Sequence, residues 1–329
     1  MDNAQFNTLY IVIPCYNEEE ALPKTAEVVL TKLRALEGAG RVSPQSRIML
    51  VDDGSRDRTW ETIAGLCDGS EYFAGVKLSR NRGHQNALLA GLMTARNHAD
   101  LTISMDADLQ DDIDAIDKMV EHYLAGADVV YGVRSKRAED TFFKRMTAEG
   151  YYKVLAKLGC QVVFNHADYR LLSRRALDAL AEYGEQSLFL RGIVPMLGYK
   201  TATVEYERHA RELGESKYPL SKMLSLAADG VMGLSLKPVR YVLTAGLITL
   251  LLSGAFLVFA LLGLIWGYPF LGWKLIVFSI WFVGGLLLTS LGVVGEYAGR
   301  AYMESKHRPR YFIERTEGLS AAPETEDNA

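Results

Sequence analysis

Cysteine is scarce in this chain. Cys15, Cys67 and Cys160 are the only thiols in 329 residues, and no two have C-x-x-C spacing. An odd, dispersed set excludes a disulfide framework and a zinc ribbon, and it fits buried thiols in a reducing compartment. Glycine loops that cradle phosphate are also absent. Neither G-x-x-x-x-G-K-[ST] nor G-x-G-x-x-G occurs, which argues against a P-loop ATPase and a Rossmann dehydrogenase. Positive charge is not in excess. The formal net charge is −4, so no nucleic-acid partner is expected. No signal peptide is expected either, because Met1–Thr8 is polar and the apolar run after it meets Pro14 at once. No period of 20–50 residues repeats. With 49% hydrophobic and 23% charged residues, the chain is not a disordered one.

Charge itself is missing from two long stretches, Tyr241–Gly267 and Leu275–Gly295. As helices they would reach roughly 40 and 31 Å, enough to cross a hydrocarbon core of ~30 Å. The joint between them, Gly267–Trp273, is short and rich in turn residues, which predicts a helical hairpin. Lys217, Lys222, Lys237 and Arg240 precede the first stretch. Arg300, Lys306, Arg308, Arg310 and Arg315 follow the second, while the joint carries only Lys274. The bias predicts a multi-pass protein of the inner (cytoplasmic) membrane with both termini cytoplasmic. Ahead of the hairpin, Leu220, Met223, Leu224, Ala227, Val231 and Leu234 recur at helical spacing, as in an amphipathic helix lying in the membrane interface. Gly254 and Gly284-Gly285 permit close helix contact, and with it a homo-oligomer. The expected organisation is a catalytic-type domain at 1–218, a juxtamembrane helix at 219–237, a transmembrane hairpin at 238–298, and a basic segment with a disordered acidic tail at 299–329.

In the first part of the chain, apolar runs alternate with helical patterns. Leu9–Ile13, Ile48–Val51, Val76–Leu78, Leu101–Met105 and Val129–Tyr131 read as buried strands. Leu22, Thr25, Ala26, Val29, Leu33 and Leu36 mark one amphipathic helix, and Gln85–Asn97 and Asp114–Leu124 supply two more. This alternation predicts an α/β domain with a mainly parallel sheet covered on both faces. Polar clusters follow three of the strands: Pro14-Cys-Tyr-Asn-Glu18, Asp52-Asp-Gly-Ser55 and Met105-Asp-Ala-Asp-Leu-Gln-Asp111. Ligands of open parallel sheets bind outside the carboxyl ends of strands, so the clusters converge on one crevice. Two carboxylates at Asp106 and Asp108, with Gln110 close behind, suit hard Mg²⁺ or Mn²⁺, an ion that completes its shell with water and phosphate oxygens. That points to a nucleotide-diphosphate substrate. Without a glycine loop, the diphosphate needs cationic side chains, and Arg208-His-Ala-Arg211…Gly214-Glu-Ser-Lys217 is the candidate.

These motifs, in this order, resemble the family-2 glycosyltransferases of GT-A (Rossmann-like) fold. Within them the chain is similar to the polyprenyl-phosphate glycosyltransferases, a group that includes bacterial undecaprenyl-phosphate glucosyltransferases and dolichol-phosphate mannose synthases. The resemblance covers residues ~8 to ~313. It implies that Pro14, Tyr16, Glu18, Asp53, Asp106 and Ala107 bind the nucleotide sugar, with Asp53 near the base. Asp106 would hold the ribose or the metal, and Asp108 and Gln110 the metal. Arg134 would face the phosphates, Arg211 and Lys217 would clamp the diphosphate with Ser216 in the same loop, and Arg208 would be an extra anchor. In Asp168-Tyr-Arg170, Asp168 would be a general base or an orienting residue, and Arg170 would bind the lipid phosphate. A phosphate monoester is mostly dianionic at neutral pH and barely needs a base.

The reaction so implied is inverting transfer of one sugar to polyprenyl phosphate at the membrane, with UDP-glucose as first donor. UDP-N-acetylglucosamine, GDP-mannose and an aminoarabinose donor are alternatives, and a flippase is a downstream partner. Two rivals remain. A processive synthase would carry Q-x-x-R-W, whereas Gln186-Ser-Leu-Phe-Leu-Arg191 lacks it. An inactive scaffold for a glycolipid flippase would have no use for the acidic clusters.

Overall fold

The computed structural model describes residues 6–134, 166–185, 188–207, 237–265 and 272–319. They divide into two compact units. Of the described residues, the first holds 6–134, 166–185, 188–207 and 308–319, and the second holds 237–265 and 272–307.

The first unit is built on an eight-stranded sheet. Its strands are β1 (Leu9–Cys15), β2 (Arg47–Asp52), β3 (Phe73–Leu78), β4 (Leu101–Ser104), β5 (Val129–Arg134), β6 (His166–Ser173), β7 (Thr201–Tyr206) and β8 (Ile313–Glu317). Their order is β7-β5-β6-β4-β1-β2-β3-β8. Four of the seven pairings are parallel, β1 with β2 and β4, β2 with β3, and β5 with β7. The remaining three are antiparallel and involve β6 or β8. The helices are α1 (Leu22–Gly38), α2 (Thr59–Gly69), α3 (His84–Ala95), α4 (Ala115–Leu124), α5 (Arg174–Ala181) and α6 (Leu190–Met196).

Both faces of the sheet are covered. Alternation along β1 sends Leu9, Ile11 and Ile13 into a core with α1, α2 and α4, and Tyr10 and Val12 into a second core with α3, α5 and α6. The central strands therefore read as unbroken apolar runs. The predicted face of α1 is the buried one, residue for residue. Gly91 sits where α3 comes closest to the sheet. A Cβ there would lie 2.5 Å from Val12 Cγ1 and 2.6 Å from Val51 Cγ2.

The chain leaves β1 toward β2 and β3, then crosses back to place β4 on the other side of β1. This makes a topological switch point, and the crevice at the carboxyl ends of β1 and β4 is where such a sheet receives ligands.

Six elements were not among the expected ones: the helices α2, α5 and α6 and the strands β6, β7 and β8. Strand β6 carries Asp168 and Arg170 and so does not read as apolar. Strands β7 and β8 are sheet edges with mostly exposed or half-exposed side chains, where composition gives little strand signal. The expected basic segment at 299–329 holds a strand, and its acidic tail beyond 319 lies outside the described residues. Residues 313–317 pair antiparallel with β3, and Tyr311 packs against the second core.

The second unit contains α7 (Lys237–Ile265) and α8 (Gly272–Ser305), which pack against each other. Two spans were expected. Among the described residues one stretch, Ser279–Ser305, is long and apolar enough to cross a membrane by length and composition. In α7 the corresponding stretch is the shorter Val239–Thr249. The expected interfacial helix at 220–236 lies outside the described residues.

The contact at Gly91 yields a test. Gly91→Val overpacks the α3–sheet interface and is expected to cost about 1–3 kcal/mol. Thermal unfolding of the detergent-purified protein measures it as a lowered Tm.

Candidate active site

The loop after β2 is built around glycine. Gly54 has φ +65°, and a Cβ there would lie 2.5 Å from the backbone carbon of Arg80. Only glycine fits both the left-handed conformation and the close approach. Asp53 is thereby pressed against residues 82–83. Its Oδ1 accepts from the Arg82 N–H at 2.7 Å and its Oδ2 from the Gly83 N–H at 2.9 Å. Burial pushes the Asp53 carboxyl up, while these two amides pull it down. Asp53 therefore fixes the entry into α3, whose first residues are His84 and Gln85. Beside it, Asp52 accepts from the Ser55 N–H, and its other oxygen is buried without a hydrogen-bond partner.

The loop after β1 is tied to the same segment. Asn17, at φ 54°, donates its N–H to Ser55 Oγ and accepts from the Arg56 N–H. The Glu18 N–H donates to Thr59 Oγ1. Pro14 is buried at the end of β1, Tyr16 is exposed and Glu18 half-buried.

After β4 the chain turns sharply through Asp106-Ala-Asp-Leu-Gln110. Leu109 adopts φ 51°, a strained value for a leucine. The Ala107 carbonyl accepts from Thr25 Oγ1 at 2.7 Å, and Asp108 Oδ1 accepts from the Gln110 N–H at 3.2 Å. Burial pushes the Asp106 carboxyl up. His84 opposes this, and the carboxylates of Asp111, Asp168 and Asp108 add to it. Such crowding of negative charge suits a divalent cation. Among the described residues no group of three or more His, Cys, Asp or Glu side chains is arranged to hold a metal. The donors that fit are the two carboxylates of the D-x-D turn, with the rest of the shell left to water and phosphate oxygens, as Mg²⁺ prefers.

Asp168 is held by several side chains at once. It lies on β6, in the strand register that sets Arg170 opposite Ser104 of β4 and Tyr131 of β5. It is 5% exposed and Arg170 1%. Arg170 Nη2 bonds Asp168 Oδ1, and Arg170 Nη1 donates to the Leu190 carbonyl at 3.1 Å. Arg191, from α6, grips the same carboxylate with Nη2 to Oδ2 at 3.0 Å and Nε to Oδ1 at 3.3 Å. Gln85 Nε2 donates to Oδ2 at 3.2 Å, and Gln85 Oε1 accepts from the Leu190 N–H. Burial opposes ionisation of Asp168, but Arg191 and Arg170 outweigh it and, with His84, hold the carboxyl well below the usual carboxylate range. His84 Nε2 stands between the two acidic elements, 3.6 Å from Asp106 Oδ1 and 3.7 Å from Asp168 Oδ2.

Arg134 ends β5 in another network. Its Nε donates to Tyr206 Oη at 3.2 Å and its Nη2 lies 3.4 Å from Asp111 Oδ1, the oxygen that accepts from Tyr206 Oη at 2.5 Å.

The structure thus brings Asp106 and Asp168 to the same nitrogen of His84. It sets Asp108 and Gln110 in the same turn as Asp106. Arg208, Arg211, Ser216 and Lys217 lie outside the described residues. Gln85, Asp111, Arg191 and Tyr206 were not among the expected site residues. Arg191 had one signal: it is a lone charge in an otherwise apolar helix from Leu190 to Met196.

A strained acidic turn at the switch point of a sheet of this order marks a ligand-binding α/β domain. The chain belongs to glycosyl transferase family 2, whose model matches residues 10–181. It is 45% identical over 306 residues to the uncharacterized glycosyltransferase YkoT of Bacillus subtilis (strain 168), covering 93% of this chain and 91% of that protein. It is 37% identical over 309 residues to the bactoprenol glucosyl transferase of Shigella phage SfV, covering 92% of this chain and 97% of that one. Among solved structures, glucosyl-3-phosphoglycerate synthase from Mycobacterium tuberculosis in complex with phosphoglyceric acid is similar at a TM-score of 0.45 and 20% identity, over 69% of this chain and 79% of that one.

The Asp168 network makes a specific prediction. Asp168→Asn leaves Arg170 buried beside a neutral group, and breaking such a pair is expected to cost about 3–5 kcal/mol. The folded-state pKa is depressed, so the stabilisation is complete above the unfolded carboxylate value of ~4 and is lost only in stronger acid. Thermal unfolding should therefore show the same gap in Tm between wild type and variant at every pH from about 5 to 8.

Proposed function

We propose that this protein is a membrane-bound inverting glycosyltransferase that moves glucose from UDP-glucose to a polyprenyl phosphate. The observation that carries the sugar and the lipid acceptor is the match with bactoprenol glucosyl transferases over nearly the whole of both chains. The acidic turn at 106–110, facing His84 and Asp168, supports the chemistry.

In this reading the lipid phosphate oxygen attacks the anomeric carbon from the face opposite the diphosphate. The new C–O bond forms as the bond to the diphosphate breaks, and UDP departs. One displacement inverts the configuration, so an α-linked donor gives a β-linked lipid product. Asp106, Asp108 and Gln110 would hold a divalent cation, which would supply charge neutralisation to the departing diphosphate. Pro14, Tyr16, Glu18, Asp53 and Ala107 surround the nucleoside end. Arg134, with Arg208, Arg211, Ser216 and Lys217, meets the phosphates. A phosphate monoester is largely dianionic at neutral pH and needs no base. The firm ion pairing of Asp168 supports an orienting role for it over proton abstraction.

The helices α7 and α8 are read as a hairpin across the cytoplasmic membrane, with the first unit on the cytoplasmic side. Support comes from the uncharged run Tyr241–Ile265 of α7, the apolar stretch of α8, and the lysines and arginines at both outer flanks. Confinement to the leaflet that holds the acceptor lowers the entropic cost of encounter.

Purified protein, radiolabelled UDP-glucose, Mg²⁺ and undecaprenyl phosphate should give a labelled lipid whose sugar is β-linked by NMR. Asp108→Asn and Lys217→Ala should each lower turnover at least 100-fold, and EDTA should abolish it. Full activity in chelator would remove the metal from the reaction, and no glycolipid from any nucleotide sugar would leave the scaffold reading standing.

A further inference from the structure

Two arginines meet at Asp168, and they differ in one respect that decides what each can do. Arg170 is 1% exposed, with Nη1 turned to the Leu190 carbonyl, Nη2 to Asp168, and Nε buried without a hydrogen-bond partner. No phosphate reaches a guanidinium so enclosed without dismantling the core around β6. The Arg191 side chain is 32% exposed. It engages Asp168 through the Nε/Nη2 edge, the fork geometry in which a guanidinium is held rigid. It stands on the first turn of α6, whose Leu190, Ile193 and Val194 are buried, so the backbone that carries it is fixed. From Asp168 the contacts run on through His84 to Asp106, so Arg191 belongs to the same crevice as the D-x-D turn.

We propose that Arg191 is a phosphate-binding residue of this crevice, while Asp168 positions its guanidinium and Arg170 braces Asp168 from within the core. The proposal rests on the transfer reaction proposed above and moves the lipid-phosphate role expected for Arg170 to its exposed neighbour. The ligand chemistry is a phosphate oxygen dianion or diphosphate, which a pre-oriented guanidinium meets with charge-assisted hydrogen bonds. Two sources carry that chemistry, the acceptor lipid phosphate and the donor diphosphate. The carboxylate of Asp168 has a reason to be buried in this arrangement: it holds a flexible cation in one rotamer near an acidic site that would otherwise repel the incoming anion.

The test is equilibrium binding, measured by calorimetry on the full chain in detergent with Mg²⁺ present. The probes are UDP for the donor side and farnesyl phosphate for the acceptor side. Arg191→Ala should weaken one probe at least 10-fold and leave the other within twofold. The weakened probe identifies the source. Arg191→Lys keeps the charge without the fork and should weaken the same probe at least threefold at near wild-type Tm, which covers the case in which the alanine variant does not fold. Arg170→Lys should lower Tm and leave both affinities within threefold. Asp168→Asn should weaken the Arg191 probe and add nothing further in the Arg191→Ala background, the non-additivity of a residue acting through another. Unchanged affinity for both probes in Arg191→Ala and Arg191→Lys overturns the proposal, as does a selective loss produced by Arg170→Lys instead. Glycolipid formation by the wild type is read separately, so a binding loss at Arg191 stands even where no sugar is transferred.

Discussion

The ion pairs around Asp168 are the constraint on which the site depends. A carboxylate enclosed by β6, α3 and α6 is costly to bury, and burial is tolerable only because Arg170, Arg191 and Gln85 satisfy it from three elements at once. Such a cluster adds little net stability compared with a well-packed apolar one. What it supplies is position. It fastens the start of α3 and the start of α6 to the antiparallel strand that continues the sheet beyond β4.

A second carboxylate performs the same kind of task on the other flank. Asp53 uses both oxygens to receive the backbone N–H groups of Arg82 and Gly83, so the loop after β3 cannot drift from the loop after β2. The consequence is local: His84 emerges at a defined point between Asp106 and Asp168. Acidic residues thus serve two purposes within one crevice. Asp52, Asp53 and Asp168 are buried and build it, whereas Asp106 and Asp108 are partly open and are left to meet a ligand.

Much of this was legible before any coordinates. The buried face of α1, the strands β1 to β5 and the turn at Asp106–Gln110 all follow from period, apolar runs and turn chemistry, because each is determined by neighbours close in the chain. The strands that were missed share a physical reason. Strand β6 hides an Asp–Arg pair that composition assigns to a surface. Strands β7 and β8 lie at sheet edges, where one side faces solvent and polar residues are tolerated. The return of residues 313–317 to β3 is a pairing across more than 230 positions, and no local signal announces it.

The sequence by itself determined the class of chemistry: an α/β sheet, acidic turns at its carboxyl edge, and two long uncharged stretches beyond it. Tertiary structure decided which charged groups are tools and which are supports. Asp-Tyr-Arg reads as two reactive side chains side by side. Only the fold shows Arg170 sealed in the core and Arg191, twenty-one residues later, brought to the same carboxylate with its surface open. The reason is physical. Local pattern reports which face of an element is apolar, but exposure and ion pairing are set by what distant segments bring to that face.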